Sequence, residues 1–408
     1  MEGAELLRAG LAPAGDTCSA GGPADPPPGA PRSLYLHIPF CERRCEYCDF
    51  VSMPGRDGEA EYLERLRCEI RQLATRVGRL ELDTVFVGGG TPSFVDPHRL
   101  GEVLDEVRAG FDLAADCEVT LEANPSSTTR ARAREWLEAG FNRVSLGIQS
   151  LEPDILAFLG RVHDPSRAIA AVGEVRRAGF RRVSCDLIYA VPGLDDARWR
   201  STLEGVVRLG PGHVSAYELT VEAGTPLHAR VRRGASPAVD PEAALRQHRI
   251  AVEVLGSAGL RQYEVSNFAV PGEECRHNVG YWRRGHYLAA GLGAHAHLPV
   301  GLAPALGFEA PAGAVSVRAW HGRSLPGYLR VGGDRLAFAG WEPVDASQAE
   351  AERVMLGLRL SDGVTLAGSR LVRAAPLVRS ELLWNAAGRF GATERGQEVL
   401  DELIRQLA

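Results

Sequence analysis

The sequence predicts an α/β protein whose core is a partial barrel of six β/α units. After residue 33, short apolar strand-like runs alternate six times with amphipathic helical patterns, which implies parallel strands joined by helical crossovers. Glycine and polar residues also follow nearly every predicted strand, at the end where a β/α barrel carries its active site. The predicted strands are 34–38, 84–87, 118–122, 143–148, 182–187 and 213–217, and the predicted helices are 59–78, 97–109, 130–140, 165–179, 196–209 and 241–258.

The composition excludes several classes of function. The 408 residues carry a net charge of -6, which gives no support for a nucleic-acid surface. All 46 basic residues are arginine, so neither a Walker A lysine nor a lysine Schiff base is available. No apolar run is long enough to span a bilayer. Most of the eight cysteines are scattered singly, which is typical of a reducing compartment and predicts a cytoplasmic protein.

The first 32 residues differ in composition from the rest of the chain. They are rich in Pro, Gly and Ala and end in PADPPPGAPR. Such a segment cannot bury enough apolar surface to fold, so we predict a disordered leader over 1–32. It lacks the charged start and apolar stretch of a secretory signal.

The first predicted strand runs directly into three cysteines, Cys41, Cys45 and Cys48, spaced C-x3-C-x2-C. Any disulfide among them leaves one thiol over, whereas all three can bind one iron–sulfur cluster. Three ligands on four irons leave one iron open for chemistry. A zinc site is one alternative, but it needs a fourth ligand and usually shows two C-x2-4-C arms. Three incidental cysteines are the other alternative.

Glycines and polar side chains follow the next strands. The glycines at 88–90 allow the backbone to approach a ligand closely, and no lysine follows them as in a P-loop. Glu122 ends the third strand, Gln149 the fourth with Arg161 twelve residues on, and Asp186 lies on the fifth. Each alone is more often a capping or surface residue. Together they predict one site at the strand ends.

The cysteine motif after a strand resembles that of the radical S-adenosylmethionine (SAM) enzymes. In that superfamily the open iron of a 4Fe–4S cluster binds the amino and carboxylate groups of SAM. The resemblance implies that Cys41, Cys45 and Cys48 hold such a cluster. It also implies that the SAM environment is formed by Tyr35, Tyr47, Gly90, Thr91, Glu122, Gln149, Arg161 and Asp186.

Within that superfamily, the chain resembles the oxygen-independent coproporphyrinogen III oxidase group over about residues 33–300. The resemblance rests on SLYLHIPFC, CxYCDF, GGGTP, EANP, RVSLGIQS and DLIYAVPG. The group contains a tetrapyrrole dehydrogenase, whose motif typically has a fourth cysteine where this chain has Phe50. It also contains radical SAM haem chaperones, which end the motif in CDF and carry HNxxYW.

This chain has the second signature, HNVGYW, at 277–282. An imidazole is a common axial ligand of haem iron, and Tyr281 and Trp282 offer flat apolar surfaces for a porphyrin. The resemblance therefore implies His277 as a haem ligand, with the haem-binding segment near 275–297. A structural histidine in a polar loop is the alternative, and Cys275 is a weaker candidate ligand.

The C-terminal part of the sequence changes in character. Residues 301–344 lose periodicity, which predicts a loop-rich connection with one helical stretch near 325–330. Helical patterns at 346–358 and 395–407 flank a hairpin predicted at 381–390. We therefore predict a small α+β, winged-helix-like domain at 345–408, which is not basic enough for nucleic-acid binding. The radical SAM barrel is predicted to span 33–300.

The resemblance implies a haem chaperone that binds haem and a 4Fe–4S cluster with exchangeable SAM and delivers haem to acceptor proteins. They assign no catalytic residue. The alternative is an oxygen-independent coproporphyrinogen III dehydrogenase or a related radical SAM oxidoreductase in porphyrin biosynthesis. The predicted partners are haem, haem-accepting proteins and an electron donor to the cluster, without nucleic acid. The sequence leaves the oligomeric state open.

Overall fold

The strands form one large sheet and three small ones in the computed structural model, which describes residues 29–408. In chain order they are β1 (Ser33–Ile38), β2 (Phe40–Cys41), β3 (Met53–Pro54), β4 (Glu81–Gly89), β5 (Asp112–Ala123), β6 (Arg143–Gln149), β7 (Arg182–Tyr189), β8 (His213–Glu218), β9 (Arg261–Glu264), β10 (Asn267–Ala269), β11 (Leu288–Ala290), β12 (His295–Pro299), β13 (Ala314–His321), β14 (Phe338–Asp345), β15 (Val364–Thr365), β16 (Leu383–Ala386) and β17 (Arg389–Ala392).

The helices are distributed along the whole described chain. They are α1 (Glu59–Val77), α2 (Pro97–Gly110), α3 (Arg130–Ala139), α4 (Pro153–Phe158), α5 (Pro165–Ala178), α6 (Asp196–Leu209), α7 (Pro226–Arg232), α8 (Pro241–Ser257), α9 (Arg276–Trp282), α10 (Leu325–Leu329), α11 (Ala346–Gly357), α12 (Ser369–Arg379), α13 (Glu394–Gln397) and α14 (Leu400–Leu407). Short 3₁₀ turns lie at Pro92–Phe94, Pro125–Ser127, Val300–Leu302 and Pro304–Leu306.

The large sheet has the topology of a partial barrel. Its order is β11-β1-β4-β5-β6-β7-β8-β10-β9, and β1, β4, β5, β6, β7 and β8 are parallel and adjacent in chain order. Since every crossover steps to the next strand in the same direction, right-handed crossovers place the helices on one face. This singly wound order distinguishes the sheet from a doubly wound one. The six predicted β/α units are confirmed.

Alternation along each strand separates an apolar face from a polar one. On β1, Leu34, Leu36 and Ile38 are fully buried in the core, whereas Tyr35 and His37 lie on the other face and bond to each other. Period-two alternation is what places these two sets on opposite faces. The inner face of the barrel is therefore lined by polar side chains from six strands, including Thr84, Glu118, Arg143, Ser145, Asp186, His213 and Ser215.

The helices show the predicted amphipathic spacing. In α1, Tyr62, Leu66, Ile70 and Leu73 recur at three- and four-residue steps and are buried. Helix α6 begins after Asp195, whose side chain accepts a hydrogen bond from the Arg198 amide, as expected for an N-cap. These features fix the helices against the sheet and hold the strand ends in place.

The prediction that 301–344 is a loop-rich connection is wrong for much of that segment. Strands β13 and β14 lie in it and pair with β12 in an antiparallel sheet. The two strands were missed because Gly and Ala dominate the residues that flank them. The signal in β13 was weak but present, since Val317 and Ala319 alternate with more polar neighbours and are fully buried. The predicted helical stretch near 325–330 is α10.

Residues after 345 form an α+β unit with its own apolar core. The predicted hairpin is β16–β17, and its turn residues Ala387 and Gly388 have φ values of 50° and 78°, as a type I′ turn requires. The helix predicted at 395–407 is divided into α13 and α14. The unit contacts the barrel through the Ser361 amide, which donates to the Tyr263 carbonyl at 2.9 Å.

The predicted leader at 1–32 falls almost entirely outside the described residues. Arg32, its last residue, forms ion pairs with Glu81 and Asp83 at the start of β4. Among residues 29–408, none of the helices has the length and apolar character needed to cross a bilayer.

Candidate functional site

A single cavity of about 520 Å³ contains all twelve residues that the sequence predicts for the site. It opens where the parallel strands end and extends into the barrel as far as helix α9. Topology explains this convergence, because the carboxyl ends of sequential parallel strands lie at one end of the barrel. The predicted residues lining it are Tyr35, Cys41, Cys45, Tyr47, Cys48, Gly90, Thr91, Glu122, Gln149, Arg161, Asp186 and His277.

The three cysteines lie on a loop whose two ends are tied together. Strands β2 and β3 pair in parallel, with the Met53 amide donating to the Pro39 carbonyl at 2.7 Å and the Gly55 amide donating to the Cys41 carbonyl at 2.8 Å. The His37 ring also bonds to the Val51 carbonyl at 2.7 Å. We call residues 41–54 the cluster loop.

The sulfur atoms of the cluster loop have hydrogen-bond donors beside them. The Thr91 hydroxyl donates to Cys41 Sγ at 3.4 Å, and Arg161 Nη1 donates to Cys45 Sγ at 3.3 Å. Burial raises the pKa of the Cys41 thiol to about 11, so this thiol stays protonated until a metal displaces the proton. Donors of this kind stabilise thiolate ligands, and the residues therefore fit an iron–sulfur cluster.

A zinc site would need its ligands to converge on one metal ion. Within residues 29–408, no three His, Cys, Asp or Glu side chains are placed to share one metal ion. Ligands to a cluster bind separate iron atoms, so they need not converge on a single point.

The glycine turn after β4 packs directly against β1 and the cluster loop. Gly89 has a φ of +118°, and a Cβ there would lie 2.6 Å from the His37 ring. A Cβ on Gly90 would lie 2.6 Å from the Pro39 carbonyl oxygen and 2.9 Å from Cys41 Sγ. Neither position has room for a side chain, which explains the GGG sequence.

Two half-buried carboxylates that line the cavity, Glu122 on β5 and Asp186 on β7, differ in the number of hydrogen bonds that they accept. Glu122 accepts from the Gly89 amide at 2.9 Å, and burial raises the pKa of its carboxyl to about 7. Asp186 accepts from Ser145 and Ser215 at 2.9 and 2.8 Å, and burial raises its pKa as well. Because a carboxylate has about four acceptor positions, Glu122 keeps capacity for a ligand hydroxyl.

Strand β6 ends in strained backbone beside a half-buried arginine. Gln149 has a φ of 68°, which is rare for a residue other than glycine, and a bulge lies between Gly147 and Gln149. Arg161 donates to Asn124 Oδ1 at 2.5 Å and to the Gly147 carbonyl at 2.9 Å. Strain held by surrounding contacts is typical of binding sites.

His277 lies at the inner end of the cavity on α9, and both of its ring nitrogens are occupied. Nδ1 bonds to the Thr84 hydroxyl at 2.7 Å and Nε2 bonds to the Tyr281 hydroxyl at 2.7 Å, while the ring stacks on Phe86. Burial lowers the pKa of the imidazole to about 4. Iron ligation by His277 therefore requires the Tyr281 hydroxyl to leave Nε2.

A buried glutamate fixes the start of α9 inside the barrel. Glu118 accepts from the amides of Arg276 and His277 at 3.2 and 3.1 Å and pairs with Arg182 at 2.9 Å. Burial opposes its ionisation, but the charges of Arg143 and Arg182 hold its pKa below the ordinary value. Cys275 donates to the same carboxylate at 3.5 Å, so its sulfur faces Glu118.

Sequence reasoning missed the inner wall of the cavity. Arg143, Ser145, His213 and Ser215 line it from β6 and β8. Arg143 is only 2% exposed, and its Nη2 has no hydrogen-bond partner within residues 29–408. The available signal was polar residues at every second position of otherwise apolar strands, whereas the prediction considered chiefly the strand ends.

Exposed aromatic and basic side chains surround the mouth of the cavity. Phe50 is 64% exposed and Tyr217 is 45% exposed, and both line the cavity. Desolvation and the nearby Asp186 carboxylate raise the pKa of the Tyr217 hydroxyl above its ordinary value. Arg43 and Arg44 of the cluster loop are exposed on the lining of the same mouth.

Comparison with known protein families agrees with this site. The model described as "Radical SAM superfamily" matches residues 35–206. "Heme chaperone HemW" of Mycobacterium tuberculosis is 40% identical over 390 residues, covering 94% of this chain and 96% of that protein. The Escherichia coli protein of the same name is 38% identical over 65% of this chain and 70% of its own length.

Two further relatives extend the comparison. The bovine "Radical S-adenosyl methionine domain-containing protein 1, mitochondrial" is 44% identical over 69% of this chain and 64% of its own length. Among solved structures, Escherichia coli coproporphyrinogen III oxidase (HemN) matches with a TM-score of 0.78 and 20% identity, covering 94% of this chain and 91% of that one. At that identity the structural match shows a shared fold.

Proposed function

The chain belongs to the HemW family of coproporphyrinogen III oxidase-like radical SAM proteins, and from this premise we propose that it binds haem and delivers it to acceptor proteins. The observation that carries the proposal is 40% identity to the mycobacterial haem chaperone over 94% of the chain. Radical SAM membership implies a 4Fe–4S cluster and SAM. Phe50 stands where the dehydrogenase type has a further cysteine, which favours the chaperone.

We assign the cofactors to the strand-end part of the cavity. Cys41, Cys45 and Cys48 hold the cluster, which supplies an open iron for SAM when it is bound. Thr91 and Arg161 donate hydrogen bonds to the cysteine sulfurs and stabilise their negative charge. Glu122 would accept from a SAM hydroxyl, and the remaining SAM contacts would come from the other predicted residues that line the cavity, Tyr35, Tyr47, Gly90, Thr91, Gln149, Arg161 and Asp186.

His277 remains a predicted axial ligand for haem iron. In the described conformation its ring is neutral, which is the form that binds iron. Ligation then exchanges the Tyr281 hydroxyl for iron at Nε2. The haem acceptors and an electron donor to the cluster are further proposed partners, in the cytoplasm.

Haem titration of the anaerobically purified protein tests the proposal. We expect saturable binding with a shifted Soret band for the wild type and for His98→Ala. The latter is the control for His277→Ala, at a surface histidine whose side chain is 84% exposed. A wild type that binds no haem would disprove the chaperone function. Consumption of coproporphyrinogen in the presence of SAM would establish the dehydrogenase instead.

A further inference from the structure

Large apolar side chains are unusually exposed at the mouth of the cavity. Phe50 and Tyr217 rank among the most exposed large apolar residues of the described chain, at 64% and 45%. Single exposed apolar residues are common on protein surfaces, but two aromatic side chains lining one cavity mouth indicate a binding surface. A flat apolar ligand would cover both and remove their surface from water.

Charged side chains of both signs surround the mouth. Arg43, Arg44 and Asp49 lie on the cluster loop, whereas Glu218 ends β8 and Glu222 follows it. Arg44 donates to the Cys48 carbonyl at 3.4 Å, which leaves most of its guanidinium donors available. The two guanidinium groups therefore suit a ligand that carries carboxylates at one edge, and the glutamates at the end of β8 repel that edge.

Haem has both properties, since it is a flat apolar macrocycle with two propionates on one edge. We propose that haem docks at the cavity mouth, with its ring against Phe50 and Tyr217 and its propionates on Arg43 and Arg44. This inference rests on the proposed function and adds a docking site at the mouth that is separate from the ligation by His277 proposed above. Arginine binds carboxylates through paired, charge-assisted hydrogen bonds, so the two arginines also set the orientation of the ring.

The inner end of the cavity differs from the mouth in accessibility. His277 is 2% exposed and both of its ring nitrogens are bonded. A macrocycle that reached it would have to displace the Tyr281 hydroxyl and pass the cluster loop and strand ends. Docking at the mouth requires no such displacement, because the surfaces involved are already exposed.

Haem titration of mouth variants tests the inference, with dissociation constants measured by Soret absorbance. We expect Phe50→Ala to weaken haem binding about tenfold, because it removes the apolar contact between the Phe50 ring and the haem ring. We expect Arg43→Gln/Arg44→Gln to weaken binding by about the same factor through loss of charge-assisted bonds. Matched controls are Val372→Ala, which is 75% exposed on α12, and Arg232→Gln/Arg233→Gln, an exposed pair outside the cavity.

A chemical variant of the ligand separates the ring contact from the propionate contact. Haem dimethyl ester lacks both negative charges, so the wild type should bind it about tenfold more weakly than haem. The double arginine variant should bind haem and the ester equally, because the partner of the propionates is already gone. Iron–sulfur absorbance and circular dichroism of each variant establish that the cluster loop and the fold are retained.

The outcomes separate this inference from the proposed function. A wild type that binds no haem removes the proposed function and the inference together. A wild type that binds haem, with both mouth variants as tight as their controls, overturns the inference and leaves the function standing. In that case a loss confined to His277→Ala assigns haem to the inner end. Weaker binding in the mouth variants, with equal affinity of the double arginine variant for haem and its ester, supports docking at the mouth.

Discussion

The cluster loop and helix α9 form opposite ends of one cavity, and their polar groups are used differently. In the cluster loop, Cys41 and Cys45 each receive one hydrogen bond, and their sulfur atoms form no disulfide. On α9, His277 has partners at both ring nitrogens and at its backbone amide. The first end is arranged to receive ligands, whereas the second is already a closed hydrogen-bonded network. This difference yields three sets of tests, ordered by expected effect.

The largest effect concerns the ligands of the cluster loop. Replacing Cys45 by Ser should abolish the iron–sulfur absorbance of the reconstituted protein, because a hydroxyl is a poor substitute for a thiolate ligand of iron. Cys68→Ser is the matched control, since this cysteine lies on α1 outside the cavity. Absorbance and iron content that stay unchanged in the Cys45 variant would remove it from the ligand set.

The next effect concerns the anchor of α9. Glu118→Gln should lower the free energy of unfolding by about 3 kcal/mol, because it leaves the Arg182 charge without its buried partner. Urea unfolding followed by circular dichroism measures the change. Asp362→Asn is the control, since the Asp362–Arg283 pair is exposed and should be worth less than about 1 kcal/mol. Equal effects for both variants would contradict a buried anchor.

The third test compares the pH dependence of the two ends. Burial raises the pKa of Glu122 from 4.5 to about 7, so the folded protein holds this proton more tightly than the unfolded chain. The wild type should therefore lose about 3 kcal/mol of stability relative to Glu122→Gln as the pH rises from 4.5 to 7. Urea unfolding of the cluster-free protein across this range measures the difference. A stability difference independent of pH would contradict the raised pKa.

His277 should show the opposite slope. Burial lowers its pKa from 6.5 to about 4, so the unfolded chain binds this proton more tightly than the folded protein. The wild type should therefore lose about 3 kcal/mol relative to His277→Gln as the pH falls from 6.5 to 4. The same unfolding series measures it. Slopes of equal sign for the Glu122 and His277 variants would show that the two ends do not differ in this way.

Much of the fold was predictable because strand and helix periodicities alternate cleanly. Strand ends and helix caps such as Asp195 have recognisable local sequence patterns. The residues at the strand ends converge in the cavity. The sheet formed by β12, β13 and β14 was missed, since its strands pair across long Gly- and Ala-rich connections. Such pairing is decided by tertiary contacts and leaves only a weak local pattern.

The site was predictable where motifs mark it and unpredictable where three-dimensional contacts decide it. The position of Arg143 inside the barrel follows from strand alternation, but the absence of a hydrogen-bond partner for its Nη2 among residues 29–408 depends on side chains from several strands. The enclosure of His277 depends on Thr84 and Tyr281, which lie 193 and 4 residues away in sequence. A motif alone therefore identifies the residue but not whether its bonding atoms are free.

The position of β1 in the sheet also sets an order of events in time. Strand β1 leads into the cluster loop, and one of its two neighbours, β11, begins about 250 residues later in the chain. At a synthesis rate of about 5–20 residues per second, about 12 to 50 s separate the two strands on the ribosome. Throughout that interval one edge of β1 is unpaired, while all three cysteines have already been made. All three cluster ligands are therefore available before the large sheet can be completed.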